Sequence, residues 1–84
     1  MTTNERTAMT ADRVRAIWRR ELHRDPILPD DDFFALGGDS VVMVRIQGAF
    51  IEELGAEITM DQLFLHPTVE SIAAYIDSRA ALTP

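Results

Sequence analysis

Residues 32–40 read Asp32-Phe33-Phe34-Ala35-Leu36-Gly37-Gly38-Asp39-Ser40. Phe33, Phe34 and Leu36 are costly to leave in water and are predicted to pin this stretch to a core. The glycine pair opens backbone angles closed to other residues and leaves no side chain in the way of an approaching surface. Asp39 and Ser40 both make good N-caps, so a helix is predicted to begin at one of them. At such a start, free N–H groups and the positive end of the helix dipole favour a phosphate on Ser40. The same spacing also fits a plain capped turn that carries no chemistry.

Downstream, Met43, Ile46, Phe50 and Leu54 recur at helical spacing, flanked by Val44 and Ile51, and Gly55 is the predicted stop. Thr59 is placed to cap a short helix from Met60 to about Leu65, which Pro67 ends. Thr68 then caps a last helix with Glu70 in its first turn and a buried face of Val69, Ile72, Ala73 and Ile76. Upstream, Asp25 to Gly38 shows no helical period, and Pro26 and Pro29 exclude a helix interior. A loop this long is either functional or disordered, and its aromatic residues predict an ordered one, with a turn of helix near Phe33 to Ala35. Before it, Val14, Ile17, Trp18 and Leu22 line one face of a first helix, predicted from a Thr10 cap to about Arg24. No strand signal competes. The prediction is an all-α fold: a small four-helix bundle of three main helices and one short one, with a long loop between helices 1 and 2. The domain is expected over residues 10–78, between a flexible N-terminal tail of residues 1–9 and a C-terminal tail of residues 79–84.

Composition limits the function. The chain has 84 residues, 46% of them hydrophobic, which suits one small core. It has no cysteine, so disulfides, thiolate metal sites and a cysteine nucleophile are excluded. The longest apolar run, Ile72 to Ile76, falls far short of the roughly 20 residues of a membrane span, and nothing reads as a signal peptide. The expectation is a monomeric, cytoplasmic domain that does not enter a membrane. The net charge is −6, and all eight bases are arginine. Six of them share residues 1–24 with three acids, while residues 25–84 hold eleven acids against Arg45 and Arg79. That balance argues against nucleic acid, which needs a basic surface to displace counterions, and points to partners with a basic surface. The arginines of the first helix read as a solvated face beside acidic neighbours. Asp30 to Asp32 lack the spacing of a calcium loop, and no metal site is expected.

The stretch from Asp32 to Ser40 resembles the signature of phosphopantetheine-binding carrier proteins, and most of all the peptidyl carrier (thiolation) domains of nonribosomal peptide synthetases. Ile17-Trp18 followed by Leu22, and Phe64-Leu65-His66-Pro67-Thr68-Val69 followed by Ile72-Ala73-Ala74-Tyr75, resemble two further motifs of that family in the same order. The resemblance spans about residues 10–78.

The resemblance implies that Ser40 carries a covalent 4′-phosphopantetheine arm, beside Gly38 and Asp39, whose terminal thiol holds an aminoacyl or peptidyl group as a thioester. A chain without cysteine would thus obtain its sulfur with the cofactor. It implies a non-catalytic carrier, with no catalytic residue of its own. Its partners would be a phosphopantetheinyl transferase, an adenylation enzyme, and condensation, tailoring or thioesterase enzymes of natural-product biosynthesis. Gly37, Val41, Val42, Met43, Arg45, Met60 and Leu63 are the expected partner-binding residues, although the helical stripe also assigns Met43 to the core. Val41 replaces the larger residue usual after the serine, and His66 is expected to be structural. Met1 and the short tails fit a free-standing carrier, and an excised domain is the alternative. Three other functions compete. An acyl carrier of polyketide or fatty acid synthesis would more often show one glycine and a more acidic second helix. A serine hydrolase is suggested by Gly38-Asp39-Ser40, but the chain lacks strands and a D-x-x-H pair. A helical docking module would work through residues 13–24.

Overall fold

The computed structural model describes residues 5–82. Four α-helices follow in order: α1 (Glu5–Leu22), α2 (Ser40–Ala49), α3 (Met60–Leu65) and α4 (Val69–Leu82). A π-helical turn, Phe50–Leu54, extends α2. Among the described residues the only strand-like pairing is one antiparallel bridge between Asp32 and Thr68. No described helix is long and apolar enough to cross a membrane.

The helix starts and stops follow local chemistry. Helix α1 begins five residues before Thr10, because Glu5 to Met9 contains no glycine or proline and is rich in good helix formers. Residues 5–9 of the expected tail are therefore helical, and residues 1–4 lie outside the described ones. Thr10 does not cap a helix; its hydroxyl donates to Asp77 Oδ1 at 2.8 Å, joining α1 to α4. His23, at φ 55°, turns the chain away just after Leu22. Gly55, at φ 64°, stops the π turn, and the N–H of Ala56 reaches back to the Phe50 carbonyl at 3.1 Å. Thr59 caps α3 and Thr68 caps α4, as the sequence predicts. Helix α4 runs on through Ala80 to Leu82, residues that favour a helix, so the expected C-terminal tail is helical up to Leu82.

The predicted apolar stripes meet in one core. Val14, Ile17 and Trp18 of α1 pack with Met43, Ile46 and Phe50, with Leu63, and with Val69, Ile72, Ala73 and Ile76. Val44 and Ile51, expected to flank the second stripe, face solvent instead. The long loop contributes Ile27 and Phe33, both 2% exposed, Ile27 being an anchor that no helical period in the sequence marks. Phe34 was predicted to enter the core with Phe33, but consecutive residues in a tight turn cannot share one direction, and Phe34 is 42% exposed.

Backbone hydrogen bonds fasten this loop to the junction of α3 and α4. The Phe33 N–H donates to the Pro67 carbonyl at 2.7 Å, and the Glu70 N–H donates to the Pro29 carbonyl at 3.0 Å. The second bond satisfies one of the N–H groups that the start of α4 leaves unpaired. The acidic run serves local turns: Asp31 Oδ2 accepts from the Leu28 N–H at 2.8 Å, and Asp32 Oδ2 from the Ala35 N–H at 2.9 Å.

Removing the loop's buried aliphatic anchor should weaken the whole bundle. Ile27→Ala is expected to cost about 2–5 kcal/mol, a large share of a small domain's stability, in chemical denaturation of the purified chain.

Candidate functional site

The turn before α2 is wound by three short hydrogen bonds. Leu36 N–H donates to the Asp32 carbonyl, Gly37 N–H to that of Phe34, and Gly38 N–H to that of Phe33, at 3.0–3.1 Å. The two glycines serve different purposes. Gly37 has φ 96°, a conformation costly for a side-chain-bearing residue, and a Cβ there would meet nothing within 4 Å. Gly38 is there for space, since a Cβ on it would run into the Phe33 ring. That ring in turn stands edge-on to Trp18, with centroids 5.4 Å apart. Arg24 Nε donates to the Leu36 carbonyl at 3.3 Å from outside the turn.

Asp39 then takes an extended conformation and caps α2: its Oδ1 accepts from the Val42 N–H at 3.0 Å, and its carbonyl accepts from the Met43 N–H at 2.9 Å. Of the two predicted caps, the structure selects Asp39. Ser40 is consequently the first residue inside the helix. It is exposed, and among the described residues its hydroxyl has no hydrogen-bond partner. A free hydroxyl at the positive end of a ten-residue helix, two residues after a glycine pair, has room for a phosphodiester and the dipole to favour it. These residues fit a covalent phosphopantetheine group.

Among the described residues no histidine or carboxylate is hydrogen-bonded to this hydroxyl. The His66 ring is stacked on Tyr75 with centroids 5.0 Å apart, its backbone N–H is donated to the Gln62 carbonyl, and His23 lies at the end of α1. Neither histidine hydrogen-bonds Ser40, so the parts of a serine hydrolase are not assembled. The arginines of α1 are largely occupied within the molecule. Arg19 pairs with Asp25 at 3.7 Å and Arg15 with Asp12 at 3.6 Å. Arg20 bonds Glu53 at 2.7 Å and Glu21 at 3.1 Å, and these two carboxylates raise its pKa above the ordinary arginine value.

The predicted partner-binding residues divide by burial. Val41 is 60% exposed, Arg45 is exposed, Gly37 is exposed, and Val42 and Met60 are half-buried. Met43 and Leu63 do not belong to that surface: at 2% and 4% exposure both lie in the core, Met43 as its place in the helical stripe implies and Leu63 against expectation. On the six-residue α3 the exposed apolar residues are Phe64 and Leu65, neither of which is among the expected partner-binding residues. Phe64 stacks on Phe34 with centroids 5.5 Å apart and planes 14° from parallel, joining α3 to the turn across the surface. A helix of fewer than two turns has too short a pattern to show which of Leu63 and Phe64 points inward.

Comparison with known proteins agrees with this geometry. Residues 12–76 match the family model described as phosphopantetheine attachment site. The chain is 39% identical over 75 residues to the PKS-NRPS hybrid synthetase acdB of Aspergillus candidus, covering 89% of this chain and 3% of that one. It is 39% identical over 71 residues to indigoidine synthase of Dickeya dadantii, covering 84% of this chain and 5% of the synthase. It therefore spans only a small fraction of these relatives. Among solved structures it resembles BlmI, a type-II acyl carrier protein from Streptomyces verticillus involved in bleomycin biosynthesis. The TM-score is 0.82, with 32% identity over 94% of this chain and 93% of BlmI. It also resembles a free-standing peptidyl carrier protein from Acinetobacter baumannii, with TM-score 0.82 and 26% identity over 92% of this chain and 99% of that one.

The different reasons for the two glycines can be separated. Gly38→Ala should lose about 1–3 kcal/mol by displacing Phe33, and Gly37→Ala about 1–2 kcal/mol through backbone strain alone. Near-ultraviolet circular dichroism would tell them apart, with the aromatic signal altered in Gly38→Ala and retained in Gly37→Ala.

Proposed function

The chain belongs to the phosphopantetheine-attachment family of carrier domains, whose cofactor is 4′-phosphopantetheine, and on that premise we propose that it is a peptidyl carrier with Ser40 as its attachment residue. The observation that carries this reading is the division of labour at the start of α2: Asp39 supplies the cap and leaves the Ser40 hydroxyl free and exposed.

Attachment then follows from what the chain has and lacks. A transferase brings coenzyme A, magnesium and the base. The Ser40 hydroxyl gives its proton to that base, and its oxygen takes the phosphopantetheinyl phosphoryl group as the bond to adenosine 3′,5′-bisphosphate breaks. Gly37 and Gly38 keep the approach open, and the N-terminus of α2 stabilises the phosphodiester that results. Asp39 holds the helix start in place and presents its second carboxylate oxygen to the incoming enzyme. The bound arm supplies the thiol on which an aminoacyl or peptidyl group is held as a thioester. The chain is thus a substrate of its partners and not a catalyst.

The proposed partners are the transferase, an adenylation enzyme that loads the amino acid, and condensation, tailoring or thioesterase enzymes that receive it. Gly37, Val41, Val42, Arg45 and Met60 form the surface they meet, with Phe34, Phe64 and Leu65 added beside it. A peptidyl load is favoured over a polyketide or fatty acyl one because Ser40–Ala49 contains no acid, where an acyl carrier is expected to present an acidic second helix.

The direct test is intact mass before and after incubation with coenzyme A, magnesium and a broad-specificity transferase. The parent should gain one phosphopantetheine, and Ser40→Ala should gain none. Because Asp39 is the cap, Ser40→Ala should also keep its stability to within about 0.5 kcal/mol. Full modification of Ser40→Ala would move the attachment point elsewhere.

A further inference from the structure

A phosphodiester on Ser40 adds a negative charge directly after the exposed carboxylate of Asp39, in a chain whose net charge is already −6. The dipole of α2 works against that repulsion, but its first turn, Ser40 to Met43, contains no base. One arginine is tied to this turn from outside. Arg24 Nε donates to the Leu36 carbonyl at 3.3 Å, and among the described residues the Arg24 guanidinium forms no ion pair. His23, left-handed at φ 55°, ends α1, and the Arg24 N–H closes back on the Arg19 carbonyl at 3.3 Å. The neighbouring carboxylate, Asp25, is taken by Arg19 at 3.7 Å. Other bases are committed or placed elsewhere. Arg15 and Arg20 pair with carboxylates, and Arg79 donates to the Glu57 carbonyl and lies over the Tyr75 ring. Arg45 stands roughly 140° round α2 from Ser40, and Arg13 lies about three turns before Arg24.

We propose that Arg24 is the counter-charge for the phosphodiester on Ser40: its Nε holds the Leu36 carbonyl, and its Nη groups serve the phosphate oxygens. This inference rests on the carrier reading and adds a residue from the end of the first helix to a site otherwise built from the turn and α2. Arg24 thereby has two duties that substitution can separate. The bond to Leu36 is made with or without the arm, so losing it weakens both forms of the chain equally. The ion pair exists only after attachment, so losing it weakens the modified form alone. Because Arg24 and Ser40 are both exposed, the pair is screened by salt.

The test compares thermal midpoints of the unmodified and the phosphopantetheinylated chain for the parent, Arg24→Gln, Arg24→Lys and Arg13→Gln, at low salt and at about 0.5 M salt. The change in midpoint on modification should be more favourable in the parent than in Arg24→Gln by about 2–4 °C at low salt. At high salt that gap should close. Arg24→Lys should keep most of it, since it keeps the charge. Arg13→Gln removes the same charge away from the turn and should behave as the parent does. The phosphorus NMR signal of the modified chain should move in Arg24→Gln and stay in place in Arg13→Gln, a readout that the Leu36 bond alone would not shift. An identical change in midpoint for the parent and Arg24→Gln at low salt would overturn the proposal. So would equal effects of Arg24→Gln and Arg13→Gln, which would leave only net charge at work. If Ser40 takes the arm and the midpoints ignore Arg24, this inference alone fails; if the folded parent never takes the arm, the carrier reading fails with it.

Discussion

Phe33 ties together parts of the molecule that are far apart in sequence. Its ring stands against Trp18 of α1, its N–H is donated to the Pro67 carbonyl ahead of α4, and its carbonyl accepts from Gly38. One residue thus fixes the loop to the core, to the last helix and to the turn that carries Ser40. Gly38 completes the arrangement by leaving space for the ring. The core therefore reaches the site through a few direct contacts, and a long loop with little regular structure holds one shape. The two backbone bonds to the α3–α4 junction also give Pro67 and Glu70 a physical role: Pro67 offers the carbonyl that Phe33 needs, and Glu70 the N–H that the Pro29 carbonyl accepts.

Asp39 and Ser40 show how adjacent residues with the same capping ability come to do different things. Either could satisfy the helix start. With the carboxylate of Asp39 bonded to Val42 N–H, the hydroxyl of Ser40 has no structural duty. A serine used as the cap would have its oxygen occupied by a backbone N–H. Helix α2 is thereby held by one residue and leaves the hydroxyl of the next unengaged.

Most of the helices were legible because their apolar residues recur at helical spacing and their ends carry ordinary caps and stops. Val69, Ile72, Ala73 and Ile76 all fell where periodicity put them, as did the Thr59 and Thr68 caps. What escaped depended on tertiary geometry. Nothing in the order Phe33-Phe34 reveals that only the first ring turns inward, and α3 is too short to separate Leu63 from Phe64 by pattern. Helix α1 starts earlier than Thr10 because a good capping residue is also a tolerable helix residue when no breaker precedes it. At the site, the glycine pair and the helix start could be read directly. The reason for Gly38 could not, since it lies in a ring five residues earlier that folds back onto it.

The anchoring of this turn bears on how reactions are brought together. With the proposed attachment at Ser40, the linked group hangs from a pivot whose position is set by the core, so its end explores a volume defined by the length of the tether and centred on a fixed origin. On the proposed function, an enzyme docked beside Ser40 gives that origin a definite place relative to its own reactive centre. The cargo then meets this centre at an effective concentration set by tether geometry and not by its abundance in solution. A loosely held turn would spread the origin over many positions and dilute the cargo at each of them. By immobilising one end of a flexible link, Phe33 helps to set the local concentration at the other.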